Sequence, residues 1–218
     1  MLTAANLINL IIVLVPLVIA VVLHELAHGY AAFKLGDPTA YQAGRLTLNP
    51  LKHLDPIGSV LLPLFLKLTG SPFVFGYAKP VPVNFSRLRS QRDGVLVVSA
   101  AGVATNFALA LVFSVIYKWL PPGAGFTGNA DMFGLMALVR QFCVYSVAIN
   151  LVLAIFNLIP IPPLDGGRIL SVFLPPALRL QLARVERFGI IILLALLLTG
   201  SVDWIFSKVL DPLLSILL

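Results

Sequence analysis

Charge is scarce in this sequence. Asp, Glu, Lys and Arg make up 11% of its 218 residues, against roughly a quarter in soluble domains. Hydrophobic residues make up 59%, the mean hydropathy is +1.00, and no polar stretch is long enough to build a separate soluble domain. That combination excludes an ordinary soluble enzyme and indicates an integral membrane protein. Cysteine is nearly absent, and Cys143 alone rules out both an intrachain disulfide and a cysteine-rich zinc site. It falls in an apolar run and reads as packed there. Histidine is almost as rare: His24, His28 and His53 are all there is. The formal net charge of +6 would suggest nucleic acid in a soluble protein. Here it reports loop bias and anionic lipid headgroups, so no nucleic-acid partner is expected.

What is present in quantity is long apolar runs. The first has no Lys or Arg in residues 1–6 and is longer than the roughly 7–15 residues of a signal-peptide core, so it reads as a retained span. Membrane spans are expected at about residues 5–33, 95–120, 132–159 and 188–209. A fifth apolar segment, residues 57–68, is only 12 residues long with Pro63 inside it. At about 1.5 Å per residue it falls short of a roughly 30 Å hydrocarbon core, and is either re-entrant or a thin span. Alternation around Arg45–Leu48 suggests a short strand and Asn49-Pro50 a turn. Phe73–Asn84 reads as extended, because Pro80 and Pro82 forbid a helix. The expected fold is an all-α membrane protein forming a single domain over residues 1–218. It has about four transmembrane helices, the short segment and small β-strand insertions. With residues 57–68 re-entrant, 12 of the 15 basic residues share one side, leaving Lys118, Arg140 and Lys208 at or near the other. The positive-inside tendency makes the basic side cytoplasmic.

The chemistry gathers in His24-Glu25-Leu26-Ala27-His28, an H-E-x-x-H sequence at the end of the first run. On a helix, residues four apart share a face, so His24 and His28 can present two imidazoles to one metal ion. Glu25 beside them can take a proton from a water that the metal activates. Two histidines do not complete a zinc site, which usually has three protein ligands and an open position. The candidate third ligand is Asp165, beyond the helix-breaking Pro160, Pro162 and Pro163, with Gly166 and Gly167 permitting a tight turn or close backbone approach. The plainer reading of Asp165 is a cap on the following helix. Asn157, two turns or so earlier, can donate to the oxyanion or bind substrate backbone, or else serve as a buried helix–helix contact.

With these residues in view, the chain resembles the site-2 protease family of intramembrane zinc metalloproteases. The resemblance rests on His24-Glu25-Leu26-Ala27-His28-Gly29 and on Asn157-x-x-Pro160-x-Pro162-x-Leu164-Asp165-Gly166. Two connecting segments add to it, Gly44-Arg45-Leu46-Thr47-Leu48-Asn49-Pro50 and Ala78-Lys79-Pro80-Val81-Pro82-Val83-Asn84. It implies hydrolysis of peptide bonds in membrane-anchored protein substrates within or near the bilayer. His24, His28 and Asp165 would hold one zinc ion and Glu25 would act as general base. The form is compact, with no PDZ-sized or CBS-sized insertion, and a prokaryotic cell membrane with the site toward the cytoplasm is expected. One departure stands out: similar proteins commonly read Ala-Gly-Pro-x-x-Asn where this chain has Ala101-Gly102-Val103-Ala104-Thr105-Asn106.

Asn106 reads equally as a helix–helix hydrogen bond or a polar contact to the site. His53, beside Asp55-Pro56, reads as a solvated or capping histidine, or as one that supports a metal ligand or binds substrate. Two competing readings remain. A different metallopeptidase would use a glutamate as third ligand, and Glu186 is the only one besides Glu25. A non-proteolytic zinc-binding membrane chaperone or transporter would not need Glu25 as a base. Substrate identity and oligomeric state are not written in the sequence.

Overall fold

The computed structural model describes residues 4–61, 64–65, 68, 76–121, 130–200 and 204–218. Every regular element among them is helical, and no strand occurs among the described residues. The α-helices are α1 (Ala4–Lys34), α2 (Thr39–Gln42), α3 (Gln91–Trp119), α4 (Ala130–Leu158), α5 (Asp165–Phe173), α6 (Pro176–Glu186), α7 (Gly189–Leu198) and α8 (Asp211–Leu217). Three helices are long and apolar enough to cross a membrane, over Leu7–Lys34, Gln91–Trp119 and Gly134–Leu158. Their 25–29 residues correspond to about 38–44 Å at 1.5 Å per residue, more than the roughly 30 Å hydrocarbon core. The first three expected spans are therefore present.

The chain divides into two compact units, one of residues 21–102 and one of residues 1–20 with 103–218. In the unit of residues 21–102, the end of α1 is built by its sequence. Gly36 has φ 108°, which a residue without Cβ adopts freely. Its N–H meets Phe33 O at 3.2 Å while the Asp37 N–H meets Ala32 O at 2.9 Å, the paired bonds that close a helix at a left-handed glycine. Gly44 (φ 63°) does the same for α2, with Arg45 N–H on Ala40 O at 2.9 Å. That turn sets where Arg45 begins. Buried Ala32, Leu88 and Val98 form this unit's apolar core, with Ala31, Leu35, Val83 and Phe85 packed around them.

In the other unit, α4 and the C-terminal helical segment enclose a core of Ala110, Val147, Leu151, Ile155 and Leu210. A second cluster, Ile159, Leu164 and Leu193, packs where α4 gives way to the proline-rich turn. A polar ladder runs beside the first core. Asn106 Nδ2 donates to Asn150 Oδ1 at 2.8 Å and to Ala20 O at 3.3 Å, and Asn150 Nδ2 donates to Ser146 O at 2.8 Å. At the far end of α3, Arg140 stacks over the Tyr117 ring at 4.2 Å and donates to Leu120 O at 2.9 Å, satisfying helix-end carbonyls.

Three expectations need correction. Arg45–Leu48 is a run of bends, not a strand. Of the Phe73–Asn84 segment, residues 73–75 lie outside the described residues, and 76–84 form no strand. Pro80 and Pro82 bring no N–H, and side chains take up the main-chain groups a neighbouring strand would otherwise pair. The expected fourth span is not one helix: α7 has 10 residues, and Gly200 turns the chain with φ 71°. Residues 201–203 lie outside the described residues. Much of the 57–68 segment does too; within it, Pro56–Leu61 forms a π-type turn. The Asn49-Pro50 turn is present, with Asn49 Oδ1 accepting from Leu51 N–H at 3.1 Å.

Candidate metal centre

His24 and His28 lie on α1, 7% and 9% exposed, with rings edge-to-face at 83° and centroids 4.6 Å apart. The four-residue spacing brings their Nε2 atoms to 3.0 Å. The other ring nitrogen of His28 is anchored: Nδ1 lies 2.7 Å from Val98 O on α3. A carbonyl only accepts, so Nδ1 carries the hydrogen and Nε2 is left with a lone pair, the arrangement that prepares a histidine to ligate metal. Two nitrogens on a tetrahedral zinc, at about 2.0–2.1 Å from the ion, stand about 3.3 Å apart. The pair is thus within a few tenths of an ångström of ligand spacing before any ion is added.

Gly102, one turn beyond Val98 on α3, keeps the space in front of these nitrogens open. A Cβ built there would stand 2.4 Å from His28 Nε2 and 2.7 Å from His24 Nε2. A side chain would occupy the position from which both nitrogens can be reached. The donor set and this cradle together fit a zinc ion.

Glu25 is half-buried, and its Oε2 accepts the Val81 N–H at 2.8 Å. Arg45, 7% exposed, donates from Nη2 to Lys79 O at 2.8 Å. Lys79 N–H donates to His53 O at 2.9 Å, and Asn84 N–H to Asp37 Oδ2 at 2.6 Å. Asp37 is fully buried. Burial works against its charge, but the Thr39 hydroxyl, the amides of Asn84 and Thr39, and nearby Arg87 outweigh it and hold the carboxyl below its usual range. On the open face of α1, Leu23, Leu26, Ala27, Tyr30, Phe33, Tyr41 and Leu46 line an apolar groove of about 560 Å³.

In the other unit, Asp165 is the first residue of α5 and 7% exposed. The cap position belongs to Leu164, which makes no side-chain capping bond, and Asp165 is the acidic residue of the first turn. Gly166 and Gly167 serve the expected close approach: a Cβ at Gly166 would lie 2.2 Å from Leu158 O, and one at Gly167 2.5 Å from Pro162 N.

The profile of "Peptidase family M50" matches residues 72–200. A Bacillus subtilis protein named "Putative zinc metalloprotease YwhC" is 38% identical over 202 residues, covering 90% of this chain and 84% of the relative. "Putative zinc metalloprotease Rip2" of Mycolicibacterium smegmatis is 29% identical over 202 residues, covering 91% and 71%. The chain belongs to peptidase family M50. An archaeal relative, "Putative zinc metalloprotease MJ0611" of Methanocaldococcus jannaschii, is 28% identical over 151 residues, or 69% of this chain and 64% of the relative. No solved structure matches the chain significantly. The resemblance read from the two motifs and the zinc metalloprotease class agree with this M50 membership.

The remaining candidates in this M50 peptidase sort by their contacts. Asn106 is fully buried in the ladder with Asn150 and Ala20, which is the helix–helix role. Asn157 Nδ2 donates to Leu153 O, one turn back on its own helix, at 2.9 Å. His53 is not solvated: it is 2% exposed, with Nε2 at 2.9 Å from Thr47 O. Its role is to tie the 47–53 turn to Lys79. Glu186 is 47% exposed and faces Arg168 at 3.7 Å, a surface pair with no reach into a buried site. Cys143 is buried, as expected. Sequence reading missed Val81, Asp37 and Arg45. The two charged ones carried a signal, since buried charge in so apolar a chain needs a partner.

Proposed function

We propose that this M50 peptidase is an intramembrane zinc endopeptidase that cuts membrane-anchored protein substrates within or near the bilayer. The observation that carries the reading is the pair of buried Nε2 atoms 3.0 Å apart, on the helix that also carries Glu25. His24, His28 and Asp165 would hold the ion; all three are buried, and a buried carboxylate calls for a cation or donors. A bound zinc would supply a Lewis acid for the scissile carbonyl and lower the pKa of an adjacent water. Glu25 takes the proton from the attacking water and returns it to the leaving nitrogen. Asn157 donates to the developing oxyanion with the amide hydrogen that its bond to Leu153 leaves over.

Helical carbonyls are sequestered by their own hydrogen bonds, so the substrate unwinds before cleavage. Apolar side chains next to the scissile bond enter the groove of Leu23, Leu26 and Tyr41. The α7 segment and the residues after it provide a fourth crossing, which leaves the basic loops and the site toward the cytoplasm. A prokaryotic cell membrane fits the bacterial and archaeal sources of its relatives.

The test is Glu25→Gln with a model transmembrane substrate in liposomes. The expected result is zinc retained and cleavage abolished. Cleavage retained would overturn the reading, and a zinc-dependent function surviving without cleavage would favour a chaperone or transporter.

A further inference from the structure

Val81 stands between two prolines, so within Pro80-Val81-Pro82 only one residue owns an N–H. That N–H donates to Glu25 Oε2 at 2.8 Å. The donor is held from both sides. Upstream, Lys79 donates its N–H to His53 O at 2.9 Å and accepts from Arg45 Nη2 at 2.8 Å. Downstream, Asn84 N–H is bound to Asp37 Oδ2 at 2.6 Å. Val81 is itself buried and lies over Gly29, where a Cβ would come within 2.8 Å of Val81 Cγ1. Glu25 and Gly29 are one helical turn apart on the same face of α1. The glycine that follows His28 thus opens the space into which Val81 descends toward Glu25.

We propose that Lys79–Asn84 is a positioning strap for the general base, in which the Val81 N–H pins Oε2 of Glu25 and leaves Oε1 to take the proton. This rests on the zinc endopeptidase reading above. Glutamate has three side-chain torsions, and an unpinned carboxylate would sample orientations that miss the water; fixing one oxygen removes that cost before the substrate arrives. The prolines keep φ fixed on both sides of the donor, and Arg45 and Asp37 hold the ends. Val81 acts through Glu25, as a positioning residue.

The test replaces one atom. Val81 is exchanged for its α-hydroxy acid, so that an ester oxygen stands where the N–H was and the side chain is unchanged. The same exchange at Val83, whose N–H enters no hydrogen bond among the described residues, measures the cost of the backbone change itself. Expected at position 81 is a fall in kcat of roughly tenfold or more, the size usual for loss of an outer hydrogen-bond partner. KM stays within about twofold and zinc content is unchanged. In a Glu25→Asp background, whose shorter carboxylate does not reach the strap, the ester costs less than about twofold. Equal losses at positions 81 and 83, a loss confined to KM, or full additivity with Glu25→Asp would overturn the strap. Should Glu25→Gln still cleave, the endopeptidase reading itself fails, whatever the esters do.

Discussion

Val98 and Gly102 stand one turn apart on α3 and serve the same histidine from two directions. The Val98 carbonyl receives Nδ1–H of His28 at 2.7 Å, and Gly102 offers His28 Nε2 nothing but space. One turn of helix thereby fixes the tautomer, and the next leaves room for what the tautomer binds. A ring already held at one nitrogen gives up little freedom when it ligates through the other.

Gly102→Ala is therefore expected to abolish zinc binding with the fold retained. The new methyl would sit 2.4 Å from His28 Nε2 and 2.7 Å from His24 Nε2, on rings that burial keeps from swinging away. Metal analysis of the purified protein checks it, with circular dichroism reporting helix content. Full zinc occupancy in the alanine variant would show that the ion sits elsewhere.

Asp165→Asn and Glu186→Gln separate the two candidate third ligands. The first is expected to lower zinc affinity by more than the roughly 10–100-fold that an outer-shell loss costs. The second leaves it unchanged, since Glu186 is a half-exposed partner of Arg168. Competition with a chelator of known affinity measures both.

Asp37 makes stability depend on acid. Its folded-state carboxyl is held below the usual range, so its contribution is complete above the ordinary carboxylate pKa. It disappears as pH falls through the lowered value. At neutral pH, Asp37→Asn is expected to cost about 1.5–3 kcal/mol, the range for hydrogen bonds to a charged group. Unfolding of the variant should lose that part of the acid dependence. A wild-type slope below pH 4 in the variant would assign it to other carboxylates.

The ladder of Asn106, Asn150 and Ala20 has a different signature. Asn106→Ala is expected to cost about 0.6–1.7 kcal/mol, the range measured for interhelical hydrogen bonds in membranes. Zinc content should stay unchanged. Loss of zinc in a variant that still unfolds cooperatively would place Asn106 at the metal instead.

The helices that cross the membrane were legible because hydrocarbon demands long uninterrupted apolar runs, and α1, α3 and α4 supply them. The histidine pair was legible because 3.6 residues per turn convert the spacing of His24 and His28 into a shared face. The strap was not. Its backbone is held by Glu25, Asp37 and Arg45, each distant in sequence, so no local alternation reports it. Asn106 could be read as polar and buried, but not as bound to Asn150, because two asparagines announce no pairing. The last apolar segment misled for a related reason: its composition suits a span, while the break at Gly200 lies in one dihedral angle.

Helix α1 carries exposed Leu7, Leu10, Ile11, Leu14, Leu17 and Val18 in the same helix as His24 and His28. Pro16 lies within it without ending it. A bilayer thicker or thinner than such a span tilts or shifts it. Under the proposed endopeptidase reading, a change in bilayer thickness would therefore shift which peptide bonds of one substrate are reached.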